Sequence, residues 1–208
     1  MPKLDAPSTD KANRTSNESS PATSYQTDVC WLNQWVPVMA APEGVLIMTI
    51  REFLQGRRKA EYPVFMKVLN ALPRERFDYT PHERSPSAAQ IVWTLALETK
   101  ACSDLIDTGR VNWKPDSLPA DPEIILSSFR KHSEELDHRI DRLDEEAWQS
   151  KSQLLINDQL YREAPLGEFL WYIFFDAIHH RGQLSAYIRP MGGQVPSVYG
   201  PSGDDPGS

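Results

Sequence analysis

The stretch FFDAIHHRGQLSAYIRPMGGQVPSVYG, residues 174–200, decides how the chain is read. With Phe169 and Ile173 before it, the positions Asp176, Ala177, His180, Leu184 and Tyr187 recur at three- and four-residue intervals, which places them on one face of an α-helix. A core-forming helix would therefore turn a carboxylate and an imidazole inward, one above the other. His179 is rotated by about 100° from its neighbour and faces elsewhere. Pro190-Met191-Gly192-Gly193 closes the helix, and its start falls near Pro165.

Three more long helices are legible upstream. The earliest spans about Thr49 to Leu72, with Ile50, Phe53, Leu54, Phe65, Val68, Leu69 and Leu72 at helical spacing and Pro63 expected to kink or divide it. The next starts in SPSAAQ, where Ser85 or Ser87 can cap it, and runs to Thr108 before Gly109. Its inner stripe is Ala88, Ile91, Thr94, Leu95, Glu98, Cys102 and Leu105. The third begins at Asp121-Pro122 and carries Leu126, Phe129, Ser133, Leu136, Ile140 and Leu143 inward. VNWKPDSLPADP reads as a proline-broken connection and LLINDQLYREA as a short hairpin before the last helix. Four long helices with little strand content predict an all-α four-helix bundle.

The flanks and composition set the limits. Residues 1–28 are dominated by Ser, Thr, Asn, Pro and charge and read as a disordered tail; 29–200 form the bundle domain, opened by the apolar arm CWLNQWVPVMA, and 201–208 a C-terminal tail. The formal net charge of −7 argues against a nucleic-acid surface, which needs surplus Lys and Arg. No run approaches the roughly 18 apolar residues of a membrane span, and the N-terminal stretch has no apolar targeting core. With Cys30 and Cys102 as the only cysteines, a reduced, cytoplasmic setting is expected.

Glu98 and Asp176, both on apolar stripes, each need a cation, a metal or strong donors. Two arrangements meet that need. Carboxylates and imidazole converging from facing helices can hold a divalent ion. Otherwise Asp176 pairs with His180 and Glu98 with Arg181 in a metal-free ion network.

The segment HHRGQLSAYIRPMGG followed by VPSVYG, together with LPRERFDYTPHERSPSAAQIVWTLALE upstream, resembles the DinB-like superfamily of four-helix-bundle proteins, whose last long helix carries a His-Arg-Gly-Gln motif. The resemblance covers roughly Thr49 to Gly200. It implies a metal triad with one His on the second helix and two His four apart on the last. His180 keeps the last ligand and Asp176, also a good metal ligand, occupies the position four earlier. The pattern breaks at Thr94, which follows Trp93 where the family has its first His; Glu98, one turn along the same face, is one replacement candidate, and His82 and His179 are more distant ones.

The resemblance further implies a divalent-metal-dependent enzyme (zinc, nickel, manganese or iron), either a thiol-dependent transferase or isomerase or a hydrolase, acting on a small molecule with a low-molecular-weight thiol as partner. Asp176, His180 and Glu98 would be ligands, with Glu98 alternatively a base, and Thr94, His179, Arg181 and Tyr199 would line the substrate. The alternative is a metal-free bundle that binds a small ligand or forms a homodimer, and Thr94 favours it.

Overall fold

The computed structural model describes residues 48–207. The expected tail over 1–28 and the apolar arm after it lie outside the described residues. Four long helices are present: α1 (Ile50–Ala71), α2 (Ala88–Thr108), α3 (Pro122–Ile140) and α5 (Leu166–Ile188), with the short α4 (Glu145–Gln149) between α3 and α5. The all-α expectation needs correction, because strands β1 (Arg110–Trp113), β2 (Lys151–Ile156) and β3 (Gln159–Pro165) form a three-stranded sheet.

Local sequence accounts for the helix ends. Thr49 and Ser87 each accept from the third residue of their helix, while Glu52 and Gln90 reach back to the cap backbone, giving two reciprocal capping boxes. Asp121 caps α3 with Pro122 in its first turn. Gly109 ends α2 at φ 69°, its N–H donating to the Leu105 carbonyl 2.8 Å away, a left-handed conformation that costs glycine little. Pro63 does not divide α1, which stays one helix of 22 residues. Its ring lies on the exposed face, where water can satisfy the carbonyl that loses its amide partner.

The hairpin was legible and the third strand was not. Strands β2 and β3 pair antiparallel around Asn157 and Asp158, both with positive φ, the two-residue geometry that matches strand twist. Strand β1 adds in parallel to β2, in the segment read as a loop. Its register is fixed from the side: the Asn112 amide donates to Asp158 at 2.7 Å, and Lys114 pairs with the same carboxylate at 2.6 Å. A four-residue strand before Lys114-Pro115 has too little period to be seen locally.

The apolar interior divides into two clusters. One gathers Phe65, Leu69, Ile91, Leu95, Leu126, Leu184 and Ile188; the other gathers Leu54, Cys102, Leu105, Leu136, Ile140, Trp148 and Phe169. Between them each long helix contributes polar side chains: Arg58 and Glu61 from α1, Glu98 from α2, Ser133 from α3, and Asp176, His180 and Arg181 from α5. The polar layer lies mid-helix, where the backbone groups are already paired within each helix, so these side chains depend on other side chains or on solvent for partners.

Candidate functional site

Within this layer Glu98, Asp176 and His180 converge. One ligand-type atom from each lies within 4.8 Å of the others, an arrangement suited to holding a metal ion. His180 Nε2 is 3.8 Å from Glu98 Oε1 and 3.8 Å from Asp176 Oδ2, distances beyond direct hydrogen bonding. Glu98 is largely covered, with 13% of its side chain exposed, and its Oε2 is buried without a hydrogen-bond partner. A buried carboxylate with one oxygen unpartnered, grouped with a second carboxylate and an imidazole, is what a divalent ion would satisfy, so the donor set fits a metal.

The electrostatics carry the same sign of strain. Burial pushes the Glu98 carboxyl above its usual range; His180 pulls it back and the charge of Asp176 adds to the rise. The Glu98 carboxylate raises the His180 imidazolium to about 9 against the opposing effect of burial, with Gln183 and the charge of Asp176 contributing further. Without a metal, a proton on His180 balances the two carboxylates.

Gln183 supplies the remaining contact. Its Oε1 lies 2.9 Å from His180 Nδ1, so Nδ1–H donates to the amide oxygen and Nε2 is left turned toward the two carboxylates. The i, i+3 spacing from His180 was the signal for this contact.

The Arg181–Glu98 pairing weighed from sequence does not form. Arg181 is one residue past His180, so its side chain leaves α5 toward α1, where it donates to Glu61 Oε2. Tyr199 Oη also donates to that oxygen at 2.8 Å, and Arg57 pairs with Oε1. Burial alone would raise the Glu61 carboxyl, but the bonds from Arg181, Tyr199 and Arg57 outweigh it and hold the group below its ordinary value. The Arg181 guanidinium lies over the rings of Phe65 and Tyr199, at 4.8 Å and 5.0 Å. Sequence reasoning missed Glu61, although it falls seven residues after buried Leu54 and four before buried Phe65 on the inward stripe of α1.

A cavity of about 220 Å³ opens beside the triad, bounded by α2, α5 and the sheet. Glu98 and Asp176 stand in its wall; Thr94, His179, Arg181 and Tyr199, the expected substrate contacts, do not line it. His179 is exposed, and Thr94 is half-buried one turn before Glu98. The sheet side of the cavity was not foreseen: Trp113 joins it only through the parallel pairing of β1, and nothing local shows that the hairpin residues Leu154 and Tyr161 wall a cavity.

The fold is mostly helical, and its last long helix carries the inward Asp176–His180 pair within the stretch Asp176–Gln183. The DinB family profile matches residues 51–206, and the chain belongs to the DinB family. Among solved structures, a DinB-like protein from Bacillus cereus ATCC 10987 is similar at 20% identity with a TM-score of 0.59, covering 73% of this chain and 99% of that one. A DinB-like protein from Bacillus subtilis is similar at 20% identity and TM-score 0.54, covering 68% and 93%. A mycothiol-dependent maleylpyruvate isomerase aligns more distantly, at 12% identity and TM-score 0.49, over 70% of this chain and 62% of that one. No curated protein matches in sequence. No helix among the described residues is long and apolar enough to cross a membrane.

Proposed function

We propose that the chain is a divalent-metal-dependent enzyme in which Glu98, Asp176 and His180 hold the ion. The observation that carries this is the convergence of one ligand atom each from Glu98, Asp176 and His180, with the second Glu98 oxygen, Oε2, buried and unpartnered beside them. Two carboxylates and one imidazole suit zinc, manganese or iron(II) better than a metal that prefers sulfur, and nickel remains within reach of the imidazole. When bound, the ion would act as a Lewis acid that lowers the pKa of a thiol or water beside it.

The chain's own groups have distinct parts in that reading. Gln183 holds His180 with Nε2 forward, and His180 must give up its proton to serve as a ligand. Glu98 is a third ligand in place of the family His, since Thr94 offers a neutral hydroxyl; if the ion engages only one of its oxygens, the carboxylate is the candidate acceptor for a proton from a thiol or water. Family membership supports a thiol-dependent transferase or isomerase, or a hydrolase, with a low-molecular-weight thiol as the candidate partner. His179, Arg181 and Tyr199 are proposed in supporting roles only, the last two through the buried Glu61 pair.

The second reading, a metal-free bundle that binds a small ligand or pairs with a copy of itself, is favoured by Thr94 and by the proton that His180 retains to about 9. Metal analysis of tag-free protein beside folded Asp176→Ala and His180→Ala variants separates the two. Near-stoichiometric metal lost in both variants supports the enzyme. Absence of metal after supplementation, with all three proteins folded, removes it.

A further inference from the structure

The cavity beside the triad has a chemistry of its own. Its wall is mostly apolar and aromatic, with Trp113, Phe169, Tyr172, Ile173 and Leu154 around a space of about 220 Å³. A dry apolar cavity of about 150 Å³ accommodates benzene, so one ring with a short substituent fits this volume. The charged groups in the wall are the carboxylates of Glu98 and Asp176, and among the described residues no Lys or Arg lines it. Arg162, whose guanidinium lies over the Phe169 and Tyr172 rings at 5.8 Å and 5.7 Å, is paired with Glu168. Lys114, next to Trp113, is paired with Asp158.

An anion entering this space would lose its hydration and find no free cation in the wall to replace water, because the positive charge at the triad, a proton on His180 or a bound ion, is already matched by the Glu98 and Asp176 carboxylates. An aromatic or branched apolar body without negative charge would instead displace water from an apolar surface while its polar end reaches Glu98 and Asp176. We propose that the cavity is the substrate pocket and selects a small aromatic or branched apolar compound carrying no negative charge, its reactive end toward the Glu98–Asp176–His180 triad. The enzyme reading above is its basis, but recognition of the body depends on the cavity wall and not on the ion.

The test uses the full chain as purified, with its metal content measured in parallel. Benzyl alcohol is compared with benzenesulfonate by saturation-transfer NMR and titration calorimetry; the sulfonate is a poor metal ligand, so its rejection reports on the wall. Benzyl alcohol is expected to bind at one site, at least tenfold more tightly than benzenesulfonate. Ile173→Trp and Leu154→Trp, which fill the cavity from the helix side and the sheet side, should each weaken it at least tenfold with metal content unchanged. Equal or tighter binding of the sulfonate, no binding of benzyl alcohol, or undiminished binding in whichever filled variant folds would overturn the proposal. Probe binding in a protein that stays metal-free after supplementation would leave the pocket standing and remove the enzyme; metal without probe binding would do the reverse.

Discussion

The amide oxygen of Gln183 lies 2.9 Å from Nδ1 of His180, one helical turn along α5. That contact fixes which imidazole nitrogen faces Glu98 and Asp176. Removing such a partner typically costs 10–100-fold in metal affinity. Gln183→Ala should therefore weaken zinc binding by about that factor in competition with a chromophoric chelator, while Gln183→Glu, which keeps an acceptor, should retain most of it. Equal affinity in all three proteins would mean that His180 is oriented by something else.

The raised His180 group gives the site a signed pH dependence. Its pKa moves from 6.5 to about 9 on folding, so the stabilisation from its proton is fully present below 6.5 and disappears as pH rises through about 9. A metal must displace the same proton, so its apparent affinity should climb about tenfold per pH unit over that window. In metal-free Glu98→Gln the largest cause of the rise is gone, and the imidazole titration followed by NMR should fall back toward 6.5. A midpoint that stays near 9 would assign the rise to Asp176 and Gln183 instead.

Glu61 and Arg181 form the buried ion pair of the polar layer, with side chains 3% and 4% exposed. Breaking one partner of such a pair strands the other charge, at a cost of about 3–5 kcal/mol. Glu61→Ala should lose that much stability in urea unfolding. Tyr199→Phe, which removes one hydroxyl from the same carboxylate, should lose about 1 kcal/mol. A Glu61→Ala loss no larger than that of Tyr199→Phe would contradict a pair isolated from water.

At the start of α5, a Cβ added to Gly167 would collide with the indole of Trp148. Trp148 is 3% exposed and has little room to move. Gly167→Ala should cost about 1–3 kcal/mol by overpacking, despite alanine's better helix propensity. Thermal unfolding distinguishes this from the small gain that helix propensity alone would give at an exposed glycine.

The four long helices were legible because caps and apolar period are local properties. Thr49, Ser87, Asp121 and Gly109 mark ends that hydrogen bonds within a few residues enforce. The Asp176–His180 pair was legible for the same reason, since one helical turn separates them. The capping Ser and the hairpin turn likewise need no distant partner.

What the amino-acid order alone determined, then, is the helical period, the inward carboxylate–imidazole pair and a neutral Thr94 one turn before Glu98. Tertiary structure decided the partners. Glu98 meets His180 across two helices, Arg181 turns to Glu61 on α1, and β1 joins β2 across more than forty residues of chain to wall the cavity. Those choices depend on which faces meet in space, and a buried charge takes whichever partner the packing delivers to it, a matter that spacing along a single helix does not encode.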